Sequence, residues 1–174
     1  MDLQRASFLN DQHVVQLSSF IGDLMYINLS GCENITKSSL FVLARSCPLL
    51  CEIKMEGIGS EIVENSDSSM DFGVDPRLKS LYLGKNSWLS DESIITISSI
   101  FPYFQLLDLN SCECISDGIC QVLRRCCKIR HLNLSFSKEV KLLGMNFIVP
   151  NLEVLNLSHK KVDDQTLYLR ATIS

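Results

Sequence analysis

The sequence predicts an α/β fold made of repeated strand–helix units, and three observations carry this prediction. One apolar pattern, Leu-x-x-Leu-x-Leu with Ile, Met or Phe at some anchors, occurs six times along the chain. Its first anchors follow one another at steps of 26, 28, 26, 25 and 23 residues. In the best copies a stripe of apolar residues at helical spacing comes next. A near-constant period of this length is typical of stacked repeats, in which each unit buries its apolar face against its neighbours.

Six short strands are predicted at these anchors. The last two anchors of each copy are two residues apart, which is the alternation of a strand with one buried face. In chain order the anchors are Leu24/Ile27/Leu29, Leu50/Ile53/Met55, Leu78/Leu81/Leu83, Phe104/Leu107/Leu109, Ile129/Leu132/Leu134 and Leu152/Leu155/Leu157.

Amphipathic helices are predicted behind the strands, because apolar residues recur there at helical spacing. The clearest stripes are Leu40, Leu43, Ala44 and Cys47 in the first copy and Ile119, Val122, Leu123 and Cys126 in the fourth. Residues that favour helix N-caps precede the helical positions. They are Thr36, Ser90 and Asp163, with Ser116 or Asp117 in the fourth copy.

Stacking such units predicts a right-handed solenoid with the form of a horseshoe arc. Parallel β-strands would line its concave face, and helices would cover its convex face. We expect a single domain of about six repeats over residues 1–174, partial at both ends, with Phe8 to Phe20 as the second half of a preceding repeat. Residues 56–76 interrupt the period with an acidic, serine-rich loop insertion, interpreted either as a solvated loop or as a binding loop for a basic partner.

Composition and charge exclude several classes of function. The net charge of −4 gives no reason to expect nucleic acid as a partner, and no apolar run reaches the length of a membrane span. The second half of the chain is locally basic, and we interpret its basic residues as solvated helix ends. Because the first residues do not resemble a signal peptide, we expect a reduced compartment, cytoplasmic or nuclear, in which the 8 cysteines are small buried hydrophobes.

No motif in the sequence indicates catalysis, a cofactor or a metal. There is no Cys-x-x-Cys pair for zinc, and no nucleophile elbow, phosphate-binding loop or zinc-protease motif. Pairing of His131 with Cys126 or Cys127 for thiol catalysis is conceivable, but cysteines packed on helices are usually inert. The prediction is therefore a non-enzyme with no cofactor, no metal and no catalytic residue.

Two segments carry a resemblance to a known family. Leu29–Thr36 reads Leu-Ser-Gly-Cys-Glu-Asn-Ile-Thr and is followed by Leu-Ala-Arg-Ser-Cys-Pro at Leu43–Pro48. These phrases resemble the cysteine-containing leucine-rich repeats of F-box/LRR proteins, of plant type, and similar phrases recur at Leu109–Ser116 and Leu157–Asp164. In that family the F-box recruits the Skp1–cullin ubiquitin ligase, and the repeats hold the protein that is to be degraded.

The resemblance implies a substrate-recognition region that acts in ubiquitin-dependent protein degradation. Residues Met1 to Asp23 contain no F-box, so contact with Skp1 or cullin is expected only through a domain that this sequence lacks. Two alternatives remain open. The chain is either a free-standing leucine-rich-repeat adaptor that binds a protein without degradation, or a gene fragment without function.

The candidate binding surface is the solvent side of the predicted sheet. Side chains beside the buried anchors point away from the core, and they combine mixed charge with tyrosines, which suits a protein partner. The candidate residues are Tyr26, Asn28, Glu52, Lys54, Tyr82, Asp108, His131, Asn133 and Asn156. The sequence does not identify the bound protein.

Overall fold

The computed structural model describes residues 1–59, 73–140 and 149–159. Three sequence-based predictions therefore fall outside the described residues in whole or in part. They are the middle of the acidic insertion (60–72), the helix cap at Asp163 and the second half of the phrase at Leu157–Asp164.

The fold is α/β, as predicted, with one parallel sheet of six strands and four described helices. The strands are β1 (Tyr26–Asn28), β2 (Glu52–Lys54), β3 (Ser80–Tyr82), β4 (Leu106–Asp108), β5 (His131–Asn133) and β6 (Val154–Asn156). The helices are α1 (Asp11–Ser18), α2 (Lys37–Ser46), α3 (Asp91–Ile100) and α4 (Gly118–Arg125).

The sheet follows chain order, because each strand pairs in parallel with the next one along the sequence. The register places the middle anchors in one row, from Ile27 through Ile53 to Leu155. All of the predicted anchors are buried except Leu24 and Leu155, which are half-buried. The apolar helix residues share this core with the strand anchors, so the helices cover one side of the sheet and leave the other side to solvent.

The helix caps agree with the sequence in two cases and differ in the third. The side chains of Thr36 and Ser90 accept backbone N–H bonds at the starts of α2 and α3, as predicted. Asp117 stands at the cap position of α4, but its carboxylate makes no capping bond because its backbone is already helical (φ −84°, ψ −18°). The Ser116 hydroxyl donates instead to Asp91 on the preceding helix (2.8 Å).

Carboxylates at two helix starts tie neighbouring helices together. Asp11 in α1 accepts the backbone N–H and the hydroxyl of Thr36 (3.0 and 2.7 Å), and Asp91 in α3 accepts the backbone N–H and hydroxyl of Ser116 (both 2.8 Å). Burial raises the pKa of Asp91, but the bonds from Ser116 outweigh it and hold that pKa below its usual value. Each carboxylate thus fixes the start of the next helix.

A buried row of polar side chains links successive units below the turns. Each member lies four residues after the last residue of its strand, and each donates to a backbone carbonyl of the preceding unit. The bonds run from Cys32 to Leu3 (3.2 Å), Asn86 to Met55 (2.7 Å), Cys112 to Leu83 (3.4 Å) and Ser137 to Leu109 (2.8 Å). We call Cys32, Asn86, Cys112 and Ser137 the polar ladder.

The turn after each strand contains a residue with left-handed backbone. Gly31 and Gly57 occupy this position in the first two turns (φ 72° and 56°), where glycine has no steric cost. Later turns force other residues into the same conformation: Lys85, Ser111, Phe136 and His159, with φ between 55° and 61°. The turn geometry is therefore a requirement of the repeat and not a property of one residue type.

The first residues form a further unit at the edge of the sheet. Asp2 makes a parallel bridge with Asn28, and the N-terminal amine donates to the carbonyl of Tyr26 (2.8 Å). This unit carries large exposed apolar side chains, including Phe8 (74%) and Phe20 (85%). In the part of the chain that the structure describes, no helix has the length and apolar character to cross a membrane.

The eight cysteines are all free thiols, and five of them are buried. The expectation that the cysteines are small buried hydrophobes is wrong for Cys114 and Cys127, which are exposed, and Cys51 is only partly buried. Cys127 follows the end of α4, and Cys114 lies in the turn after the polar ladder position, so neither points into the core. Burial follows position in the repeat and not residue type.

Candidate protein-binding face

The residues proposed from the sequence lie in two parallel columns across the sheet. The first column runs through Tyr26, Glu52, Ser80, Leu106, His131 and Val154, and the second through Asn28, Lys54, Tyr82, Asp108, Asn133 and Asn156. Since the strand residue between the columns is buried or half-buried, both columns are on the side opposite the helices. We call these two columns the strand face.

The columns are not uniformly accessible. Asn28 is only 7% exposed, whereas His131 and Val154 are exposed. The other members are half-buried, with polar groups that remain open to solvent. The structure therefore brings eight of the nine candidate residues to an accessible surface and leaves Asn28 buried.

Lys54 is the centre of an aromatic and acidic cluster on β1–β3. Its Nζ lies 4.6 Å from the ring centroid of Tyr82 and 5.7 Å from that of Tyr26. The Glu52 carboxylate is 3.6 Å away. Burial lowers the pKa of Lys54, but the two phenol groups and Glu52 raise it above its usual value, so the ammonium group is charged at neutral pH.

Four members of the second column have a local structural role. A side-chain oxygen of Asn28, Asp108, Asn133 and Asn156 accepts the backbone N–H two residues further on, at 2.9 to 3.1 Å. Asp2 makes the same bond at the edge of the sheet. This is an Asx turn, which ends each strand and starts the left-handed turn. Lys54 and Tyr82 cannot make it, and their side chains contact each other instead.

Three residues beyond the predicted set complete the centre of the face. Nδ2 of Asn110 donates to Asp108 (2.8 Å) and reaches the Glu56 carboxylate (3.4 Å), two units away along the sheet. Gly84 stands between them, and a Cβ atom there would be 2.2 Å from Nδ2 of Asn110. Asn133 also donates to the second Asp108 oxygen (2.8 Å). Glycine at this position lets one amide hold two carboxylates side by side.

The last two strands have a different character. Arg130 and His131 both approach Glu153, whose carboxylate accepts from Nε of Arg130 at 2.8 Å and lies 3.8 Å from Nε2 of His131. These groups are about half exposed, so the pairs are screened by solvent. This end of the strand face has its charges balanced on the surface.

A cavity of about 750 Å³ lies on the helix side, between α2 and α3. Its walls include Ala44, Ile100 and Phe101, which are already buried. Arg77 borders the cavity, but its guanidinium is held by Asp75 through two 2.8 Å bonds and by the Ala44 carbonyl (3.1 Å). The Arg77 charge at this cavity is therefore paired, whereas Arg45 and Val74, which also line it, are exposed.

The raised pKa values of two buried thiols argue against nucleophilic chemistry at these cysteines. Burial raises the pKa of Cys126 to about 12 and that of Cys112 to about 11, so both are protonated at neutral pH. Over the described ranges, no group of three or more His, Cys, Asp or Glu side chains is placed to hold a metal ion.

Sequence reasoning did not select Gly84 or Asn110, and it named Glu56 only as the first residue of the acidic insertion. Each lies two residues after the last residue of its strand, so alternation continues the face to it, but the predicted columns ended with the strands. The available signal was the phrase Asn-Leu-Ser, which recurs at 28–30, 133–135 and 156–158 and becomes Lys-Met-Glu, Tyr-Leu-Gly and Asp-Leu-Asn in the three middle units. A comparison with known protein families finds none that matches the chain.

Proposed function

We propose that the chain is a protein-binding leucine-rich-repeat module, a right-handed horseshoe solenoid that receives its partner on the strand face. A parallel sheet in strict chain order, a helix layer on one side and the polar ladder below the turns all support this architecture. In a solenoid of this kind the strand face is the concave surface.

One observation carries the binding function. In the middle units the turn-forming Asn or Asp of the second column is replaced by Lys54 and Tyr82, and Tyr26 and Glu52 flank them. These replacements give up the Asx bond of the repeat and present a half-buried cation, two aromatic rings and carboxylates. Tyrosines with mixed charge at the centre of a surface are typical of protein interfaces.

We further propose that the bound protein is a substrate for degradation, with this chain as the recognition part of an SCF-type F-box/LRR subunit or a truncated relative of one. The repeat phrases at Leu29–Thr36 and Leu43–Pro48 support this assignment. Ubiquitin transfer would then be carried out by other subunits, and no residue of this chain would be catalytic. The alternative is a free-standing adaptor that uses the same face.

Site-specific photo-crosslinking tests the use of the strand face. A photoreactive benzoylphenylalanine replaces Ser80, which lies beside Tyr82 on β3, and in a matched control it replaces Gln121, which is exposed on α4. We expect a discrete crosslinked protein from Ser80 and none in common from Gln121. The same protein from both positions, or none from Ser80, would contradict the proposal.

The lifetime of the crosslinked protein separates the two roles. If the chain acts in degradation, its depletion lengthens or its overproduction shortens the half-life of the partner, in a manner that proteasome inhibition abolishes. A simple adaptor leaves the half-life unchanged. Pulse–chase measurement of the partner decides between them.

A further inference from the structure

The central part of the strand face has an excess of negative charge. Over β2–β4 and the turns that follow them, the carboxylates on this side are Glu52, Glu56 and Asp108, and the described cations are Lys54 and, in the turn after β3, the exposed Lys85. Half-buried apolar or aromatic groups accompany them, namely the rings of Tyr26 and Tyr82 and the side chain of Leu106.

The positive charge of Lys54 is already engaged. Its ammonium group lies between two aromatic rings, 4.6 Å from the Tyr82 centroid and 5.7 Å from the Tyr26 centroid, and 3.6 Å from Glu52. It therefore compensates Glu52. The negative charges of Glu56 and Asp108 have only neutral hydrogen-bond partners among the described residues.

Neutral donors hold these two carboxylates in place without cancelling their charge. The same Asn110 nitrogen contacts Asp108 at 2.8 Å and Glu56 at 3.4 Å, so one cation above Asn110 is within reach of both. Asn133 fixes the other oxygen of Asp108. The absence of a side chain at Gly84 keeps this arrangement open across the intervening unit.

The phenol of Tyr82 reports the resulting potential. Burial raises the pKa of Tyr82, Glu52 raises it further, and Asp108 and Glu56 add to the effect against the opposing influence of Lys54. Charges from the two units that flank β3 thus act on this ring. The three carboxylates together favour a further cation beside it.

We propose that the strand face takes a basic, extended segment of a partner protein, with a lysine or arginine side chain above Asn110, beside Tyr82, that pairs with Asp108 and Glu56. Apolar residues of the segment would then contact Leu106 and Tyr26. The inference rests on the proposed function and adds the chemistry of the partner to it. Complementary charge of this kind gives selectivity and faster association.

The test uses the Ser80 photo-crosslinker in the full chain, with a lysine decapeptide or a glutamate decapeptide as competitor. We expect the lysine peptide to suppress the crosslink and the glutamate peptide to leave it unchanged. The double variant Asp108→Asn with Glu56→Gln should bind the crosslinked protein about tenfold more weakly, which corresponds to about 1.4 kcal/mol. Glu92→Gln, on an exposed position of α3, is the matched control with one carboxylate removed elsewhere and should bind normally.

Each outcome separates this inference from the proposed function. A crosslink that persists with the lysine peptide and in the double variant would overturn the basic partner while the strand face remained the binding surface. Suppression by the glutamate peptide would indicate an acidic segment and would also overturn it. The absence of any crosslink from Ser80 would contradict both the basic partner and the use of the strand face. A thermal melt of the double variant shows whether a loss of binding comes from unfolding.

Discussion

Substitution of Asn86 by alanine tests the polar ladder, which links the third unit to the second. Asn86 is 1% exposed and makes three hydrogen bonds: it donates to the carbonyls of Met55 (2.7 Å) and Leu83 (3.0 Å) and accepts the N–H of Ile58 (2.9 Å). Alanine removes all three. The Leu83 carbonyl keeps a bond from Cys112, so two buried groups, those of Met55 and Ile58, lose the Asn86 bond without such a substitute.

The cost follows from these two groups. A buried polar group without a partner costs about 1–3 kcal/mol, so we expect Asn86→Ala to lower the free energy of unfolding by about 2–6 kcal/mol. Cys112→Ala removes a weak thiol donor at the equivalent position and should cost about 1 kcal/mol beyond its lost packing. The exposed neighbour Ser87 provides the control, because Ser87→Ala should change the free energy by less than about 0.5 kcal/mol.

Urea unfolding followed by circular dichroism measures these differences. The account requires the order Asn86→Ala, then Cys112→Ala, then Ser87→Ala, from most to least destabilised. If Asn86→Ala fell within about 1 kcal/mol of Ser87→Ala, the ladder would not link the units, and the reasoning that combines burial with hydrogen bonding would be refuted.

Three further predictions concern other parts of the chain. Asp91→Asn should lower the free energy of unfolding at pH 7 by about 1 kcal/mol. Because the pKa of Asp91 is lowered in the folded protein, this difference is complete above the ordinary carboxyl pKa of 3.8 and should shrink as the pH falls through the lower folded value. A difference in urea titrations that did not change with pH would contradict this origin. Lys85→Gly relieves a left-handed backbone and should stabilise the fold by about 0.5–1 kcal/mol, while Lys85→Ala should not, as measured by thermal melts. Replacing the exposed Phe8 and Phe20 by serine should reduce concentration-dependent self-association, measured by light scattering. Unchanged self-association would mean that another surface of the protein causes it.

The sheet was predictable from the sequence because its signal is repeated. The anchors around Leu107 and their equivalents mark the buried side of every strand, and the period fixes which residues pair, so the two columns followed without a structure. The N-caps at Thr36 and Ser90 followed for the same reason. At these positions the capping preference of the residue and its place in the repeat predict the same structure.

The remaining features of the fold and the face depend on contacts between units, which the spacing of residues along the sequence does not specify. Asn28 falls in the right column but is buried, because the first residues of the chain add an edge to β1. Asp117 is in the right place for a cap, yet its backbone geometry prevents the bond, and Ser116 turns to Asp91. The pairing of Glu56 with Asp108 through Asn110 joins residues 54 positions apart, and it depends on a glycine whose role is visible only in three dimensions.

The most direct test of the strand face as the binding surface is a pair of binding isotherms with the protein captured from Ser80. Isothermal titration calorimetry compares Tyr82→Ala, at the centre of the face, with Gln121→Ala, on the exposed surface of α4. We predict at least a tenfold loss of affinity for Tyr82→Ala, about 1.4 kcal/mol or more, and an unchanged affinity for Gln121→Ala. Full affinity in Tyr82→Ala together with a loss in Gln121→Ala would contradict the account and move the binding surface to the helices.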